Sequence, residues 1–159
     1  MKKLIVAVLL IASVISCGTS KTVRTSKKVI KGEWVLNSVT HNKVGTYNIS
    51  LLNDATKECF EGSSWKFIPN NNTGTYIING ANCNEGERNF IFTIQEIDPA
   101  TGLYDFLLKP TNEKNKSEDN KGFRLELAQL SDTNMTWVQT LNVNGNPFII
   151  TMNFTKTIE

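Results

Sequence analysis

The chain has 159 residues, with 17 lysines and arginines against 15 aspartates and glutamates, a net charge of +2, and 40% hydrophobic residues. That length suits one domain with a sizeable core, and a balance so close to neutral speaks against a nucleic-acid partner held by phosphate neutralisation. Three cysteines and a single histidine leave little material for a metal centre.

Residues 1–16 read "MKKLIVAVLLIASVIS". Lys2 and Lys3 precede an apolar run, Leu4 to Ile15, that is shorter than the ~20 residues a bilayer span needs. This is the pattern of a secretory signal peptide, which takes no part in the fold. The run continues into "VISC", Val14 to Cys17, which resembles a bacterial lipobox. The resemblance implies cleavage after Ser16, a diacylglyceride on the Cys17 sulfur and a fatty acyl group such as palmitate on the new amino terminus. Each buried methylene contributes about 0.8 kcal/mol, so several chains hold a protein on a membrane almost permanently. An ordinary signal peptide with an incidental cysteine is the alternative.

Residues 17–31 follow as a Ser/Thr/Lys-rich stretch with Lys21, Arg24, Lys27, Lys28 and Lys31 and no acidic residue. Without aromatics it reads as a lipidated, flexible tether. Its charges suit anionic head groups, at about 1 kcal/mol each near the surface, and equally suit a solvated linker. The composition resembles that of Bacteroidetes lipoproteins. In that group surface-exported members tend to carry acidic residues just after the cysteine, and "CGTSKTVR" has none. The expected location is therefore the cell envelope, lipid-anchored to the periplasmic face of the outer membrane.

From Gly32 onward the chain reads as strand and turn. "KGEWVLNSVT" (31–40) sets Trp34, Leu36 and Ser38 on one side and Val35, Asn37 and Val39 on the other. Seven further runs alternate with a period of two: 63–68, 73–79, 88–97, 103–109, 122–130, 134–141 and 148–156. That alternation marks half-buried strands. Short polar turns, "PNNNTG" (69–74), "DPATG" (98–102) and "SDTN" (131–134), fall at one end. The longer segments, 41–63, 79–87, 110–121 and 142–147, fall at the other. Tight connections at one end and long ones at the other predict an all-β, eight-stranded antiparallel up-and-down barrel with a closed base and an open mouth.

The stretch Gly32 to Lys156 resembles a lipocalin-like domain of the small lipoprotein type found in Bacteroidetes. The likeness rests on Gly32-Glu33-Trp34 before eight strands and on "KECFEGSSWKF" followed by "GTY" and then a cysteine. It implies a barrel domain over residues 32–159. It also implies that Gly32 turns the chain into the barrel floor and that the Trp34 indole plugs it. In the family an arginine from the last strand stacks over that indole; here the residue in place is Lys156, which stacks less well. The helix that follows the last strand in larger lipocalins has no counterpart. An unrelated barrel with a chance Gly-x-Trp is the alternative.

With Cys17 lipidated, Cys59 and Cys83 form an even pair in an exported protein. A hairpin register that sets Trp65 opposite Ile77 and Phe67 opposite Thr75 also sets Cys59 opposite Cys83, which predicts a disulfide at the mouth. A metal site is the sharper reading, but His41 is the only histidine and there is no Cys-x-x-Cys. Neither nucleophile elbow, phosphate loop nor dinucleotide fingerprint is present, so no catalytic residue, metal or cofactor is assigned. His41 reads as a solvated loop residue, Asp105 and Glu126 as outward strand charges, and 112–121 as a solvated loop.

The expected function is the carriage of a small apolar ligand by a membrane-anchored barrel, not enzymatic catalysis. The inward, ligand-lining residues would be Phe67, Tyr76, Ile78, Phe90, Phe92, Phe106, Leu108, Leu125, Trp137, Ile150 and Met152, with residues 41–63 as a lid carrying Val44, Tyr47, Ile49, Leu51, Leu52 and Phe60. A barrel this size either holds one ligand or is filled by its side chains. The alternative is a periplasmic protein-binding module, of the enzyme-inhibitor kind, that acts through its mouth loops.

Overall fold

The computed structural model describes residues 20–98 and 103–157. The signal segment 1–16 and Cys17 lie outside the described residues. Eight antiparallel strands close into a barrel in up-and-down order: β1 (Gly32–His41), β4 (Ser64–Ile68), β5 (Thr73–Ile78), β6 (Gly86–Asp98), β7 (Leu103–Thr111), β8 (Phe123–Leu130), β9 (Asn134–Val143) and β10 (Asn146–Lys156). The ring closes where β1 pairs with β10 on one side and β4 on the other. A separate two-stranded ribbon, β2 (Ser50–Leu51) with β3 (Ala55–Thr56), lies in the first connection and is followed by the one-turn helix α2 (Lys57–Phe60). Each of the eight strands carries one apolar face, as the period of two predicts.

Three local features depart from the sequence reading. First, the register of β1 on β10 shifts between Leu36 and Ser38. This bulge inserts a residue and reverses the faces beyond it, so Trp34, Leu36 and Val39 are buried while Ser38 is not. Second, β4 and β5 pair one residue away from the expected register: Trp65 stands opposite Tyr76, and Phe67 opposite Gly74. Cross-strand partners share a face, and Trp65 and Tyr76 both belong inside, which the expected register would have forbidden. Third, the expected long connection at 142–147 is a two-residue turn. Val143 pairs with Asn146, and Asn144 and Gly145 have φ of 52° and 79°, the paired positive values that suit an Asn-Gly hairpin.

The expected flexible tether is a further correction. Residues Lys21–Ile30 form a helix, α1, capped by Ser20, whose hydroxyl accepts from the Val23 amide at 3.2 Å. Val23 and Ile30 lie seven residues apart on one helical face and are 6% and 0% exposed. α1 lies across the base of the barrel against β6 and β8. Its own composition could not bury enough surface to fold; the barrel floor supplies the missing apolar partner.

Candidate functional site

At the base, Gly32 has a φ of +112°, a conformation side chains other than hydrogen rarely tolerate. This turn delivers Trp34 into the floor, where it is fully buried and its Nε1 donates to the Ile30 carbonyl at 2.8 Å. Trp34 pairs with Lys156 across the β1–β10 ladder. The Lys156 ammonium lies 5.2 Å from the indole centroid and donates to the Val29 carbonyl at 2.6 Å. One lysine thereby joins the first helix, the first strand and the last strand.

The interior contains all eleven residues expected to line a cavity, none more than 3% exposed. The aromatic ones among them lie in ring contact with one another. Trp65 on β4 stands 5.4 Å from Trp137 on β9, at an interplanar angle of 89°, and 5.6 Å from Phe154 on β10. Phe67 lies 5.9 Å from Trp137 and 6.1 Å from Phe106 on β7. Phe106 and Trp137 stack at 4.6 Å. β4 is separated from β9 by two strands in the ring, so these contacts span the barrel. Centroid distances in this range are those of rings in direct contact. Gly74 sharpens the point: a Cβ there would collide with the Phe90 ring and the Lys66 carbonyl. The expectation of a ligand cavity between the strands thus meets a lumen occupied by rings. One polar atom in that layer has no hydrogen-bond partner, the Trp137 Nε1. Trp65, by contrast, donates to the buried Ser63 hydroxyl at 2.9 Å.

The mouth is sealed by the first connection, which acts as a plug rather than as a lid over a cavity. Ile49, Leu51, Leu52 and Phe60 are buried beneath it, and the Phe60 ring reaches Tyr76 at 5.4 Å. Polar ties hold the plug. Asp54 accepts from the Tyr76 hydroxyl at 2.8 Å and pairs with the Arg88 guanidinium at 3.0 Å. Burial, reinforced by that Asp54 carboxylate, pushes the Tyr76 phenol far above its ordinary range. Glu61 accepts from the Val39 amide at 2.7 Å, where β1 has outrun β4. Cys59 and Cys83 are disulfide-bonded, with Cα atoms 5.7 Å apart. Cys59 sits in α2 and Cys83 beyond β5, so the bond joins the plug to the wall outside the strand ladder.

Two further plug residues and the top of β9 form an apolar rim. Val44 is 100% exposed and Tyr47 39%; Leu141 and Val143, at the top of β9, are 41% and 45%. The Tyr47 ring packs on Phe148 at 5.0 Å, and Phe148 is the cross-strand partner of Leu141. His41 is not the solvated loop residue expected. It ends β1, half-buried between Tyr47 at 5.1 Å and Phe148 at 5.4 Å, and its Nδ1 is buried with no hydrogen-bond partner. Val44 and Tyr47 were expected at the mouth; the sequence reading missed the β9 half of this rim, Leu141 and Val143, although the Asn-Gly turn that extends β9 to Val143 was a usable signal. On the outer wall, Asp105 and Glu126 face each other across β7 and β8; Asp105 is nearly buried and pairs with Arg124 at 2.8 Å. A depression of about 590 Å3 between β6, β7 and β8 is lined by Ile91, Leu107 and Arg124 and also by Phe92 and Leu108, two of the residues expected to line a ligand; it does not reach Trp65, Trp137 or Phe154. No group of three or more His, Cys, Asp or Glu side chains suited to a metal gathers among the described residues.

No protein-family profile matches the chain, and no curated protein matches it significantly. Among solved structures it is similar to a lipocalin-like protein from Bacteroides uniformis ATCC 8492. That match covers 81% of this chain and 99% of the other, at 10% sequence identity and a TM-score of 0.47. The lipocalin-like character of the fold rests on the chain's own geometry: eight strands in sequential order, a first strand that closes on the last, and Trp34 in the closed floor.

Proposed function

We propose that this protein is an envelope lipoprotein, anchored through Cys17, whose solid barrel is a protein-binding module acting through its mouth. The contact of Trp65 with Trp137 across the lumen carries this reading: rings occupy the centre of the barrel, where a ligand of ordinary size would need about 300 Å3 or more, and the 590 Å3 depression lies beside that centre. The apolar rim of Val44, Tyr47, Leu141 and Val143 supports it. Exposed apolar surface of this kind is the usual mark of an interaction site, and here it is shared between the plug, tied down by the disulfide and by Asp54, and the top of β9.

A photo-crosslinking residue placed at Val143 tests the proposal in the living envelope, with Ile68, equally exposed at the base end of β4, as the control. A discrete protein adduct from Val143 and none from Ile68 is expected. No adduct from Val143, or the same products from both positions, contradicts it.

Carriage of a small ligand is a second reading, favoured by one observation: the unpartnered Trp137 Nε1 within the ring layer. A ligand acceptor would satisfy that donor, at the cost of parting the rings around it.

A further inference from the structure

We infer that the exposed face of α1 is a docking surface for anionic phospholipid head groups, which stands the barrel base-down on the bilayer with its mouth turned away. The inference rests on the Cys17 anchor of the proposed function and adds an orientation to it. Lys21, Arg24 and Lys28 recur at spacings of three and four, which places them on one helical face, and Lys31 follows at the helix end. Val23 and Ile30 hold the opposite face against the barrel. Lys21, Lys28 and Lys31 are exposed and make no ion pair among the described residues; Arg24 has an interaction of its own within the chain. No acidic residue occurs between Gly18 and Lys31.

Two physical facts make a lipid surface the fitting occupant. The covalent link from Cys17 to Lys21 reaches no farther than about 14 Å even when fully extended. An acylated Cys17 therefore holds the start of α1 close to the head groups, within one or two Debye lengths of about 8 Å. The helix is also no free tether that could turn its charges elsewhere. Lys27 donates to Asn72 at 2.6 Å, Lys156 to the Val29 carbonyl and Trp34 to the Ile30 carbonyl, so α1 and the barrel move as one body. When the stripe meets a charged surface, the whole domain is oriented by it.

The test uses the lipidated protein reconstituted into vesicles of phosphatidylcholine alone or mixed with phosphatidylglycerol. Floated vesicles are treated with a water-soluble acetylating reagent, and each lysine is read by mass spectrometry. Lys21, Lys28 and Lys31 are expected to react at least about fivefold more slowly on the anionic vesicles, the factor that a single surface charge contributes. Lys114 and Lys116, in the mouth loop, should react equally on both. High salt, or the double variant K21E/K28E, should remove the protection at Lys31. Equal labelling of α1 on both vesicles by a protein that floats with both overturns the inference and leaves the anchor standing. A protein that floats with neither overturns both.

Discussion

Lys156 stands over the Trp34 ring at 5.2 Å while its ammonium donates to Val29, so the last strand clamps both the first strand and the helix that precedes it. The long stem of the lysine lets it reach a helix carbonyl as well as the indole. Trp34→Ala should cost about 3–5 kcal/mol, as for other buried aromatics. Lys156→Met keeps the stem and removes the charge, and should cost about 1–3 kcal/mol through the lost hydrogen bond and cation–π contact. Urea unfolding of the two variants checks both figures.

Ile30→Ala tests whether α1 belongs to the folded domain. A fully buried isoleucine truncated to alanine loses about 2–5 kcal/mol, whereas the same change in a solvated tether would be nearly neutral. Thermal unfolding separates the two outcomes, and amide exchange along Lys21–Ile30 should show protection comparable to that of the barrel.

The disulfide between Cys59 and Cys83 encloses a separation of 24 residues. Closing a loop of that size stabilises a domain by about 3–4 kcal/mol in the chain-entropy account. Reduction, or the double variant C59S/C83S, should lower stability by that order and free the plug first, with proteolysis falling within 42–63 before the strands are cut. Cleavage that begins in the wall would contradict the assignment of the bond to the plug.

Gly74→Ala probes the density of the interior directly. The added methyl meets the Phe90 ring and the Lys66 carbonyl, and overpacking of this kind costs about 1–3 kcal/mol. The paired variant Gly74→Ala with Phe90→Leu should recover part of the loss, measured as a coupling in a double-mutant cycle. A neutral Gly74→Ala would show that the lumen has slack.

Much of the fold was legible because each strand has one wet face and one dry face, and that alternation is written residue by residue in stretches such as Phe148 to Phe154. The place of Trp34 was expected from the resemblance carried by Gly32-Glu33-Trp34 ahead of eight strands. The Cys59–Cys83 partnership was reached through a β4–β5 register that is one residue off, because neither cysteine is part of the ladder that the register describes. The β1 bulge at Asn37 left no period-two signal. Helix α1 was illegible for a different reason: Val23 and Ile30 are a meagre apolar face until the barrel floor is there to receive them. Whether the lumen is hollow or solid was beyond any pattern along the chain. It depends on rings such as Trp65 and Trp137, far apart in sequence, arriving at the same point in space.

Titration with brominated fatty acids, read by tryptophan emission, decides whether the barrel is solid. Two of the three tryptophans, Trp65 and Trp137, lie in the ring layer and touch each other. A brominated chain that entered the lumen would contact and quench them. The solid barrel predicts no saturable quenching in the micromolar range. Saturable quenching that is lost when Trp137 is replaced by Phe would place a ligand between the strands and contradict the account.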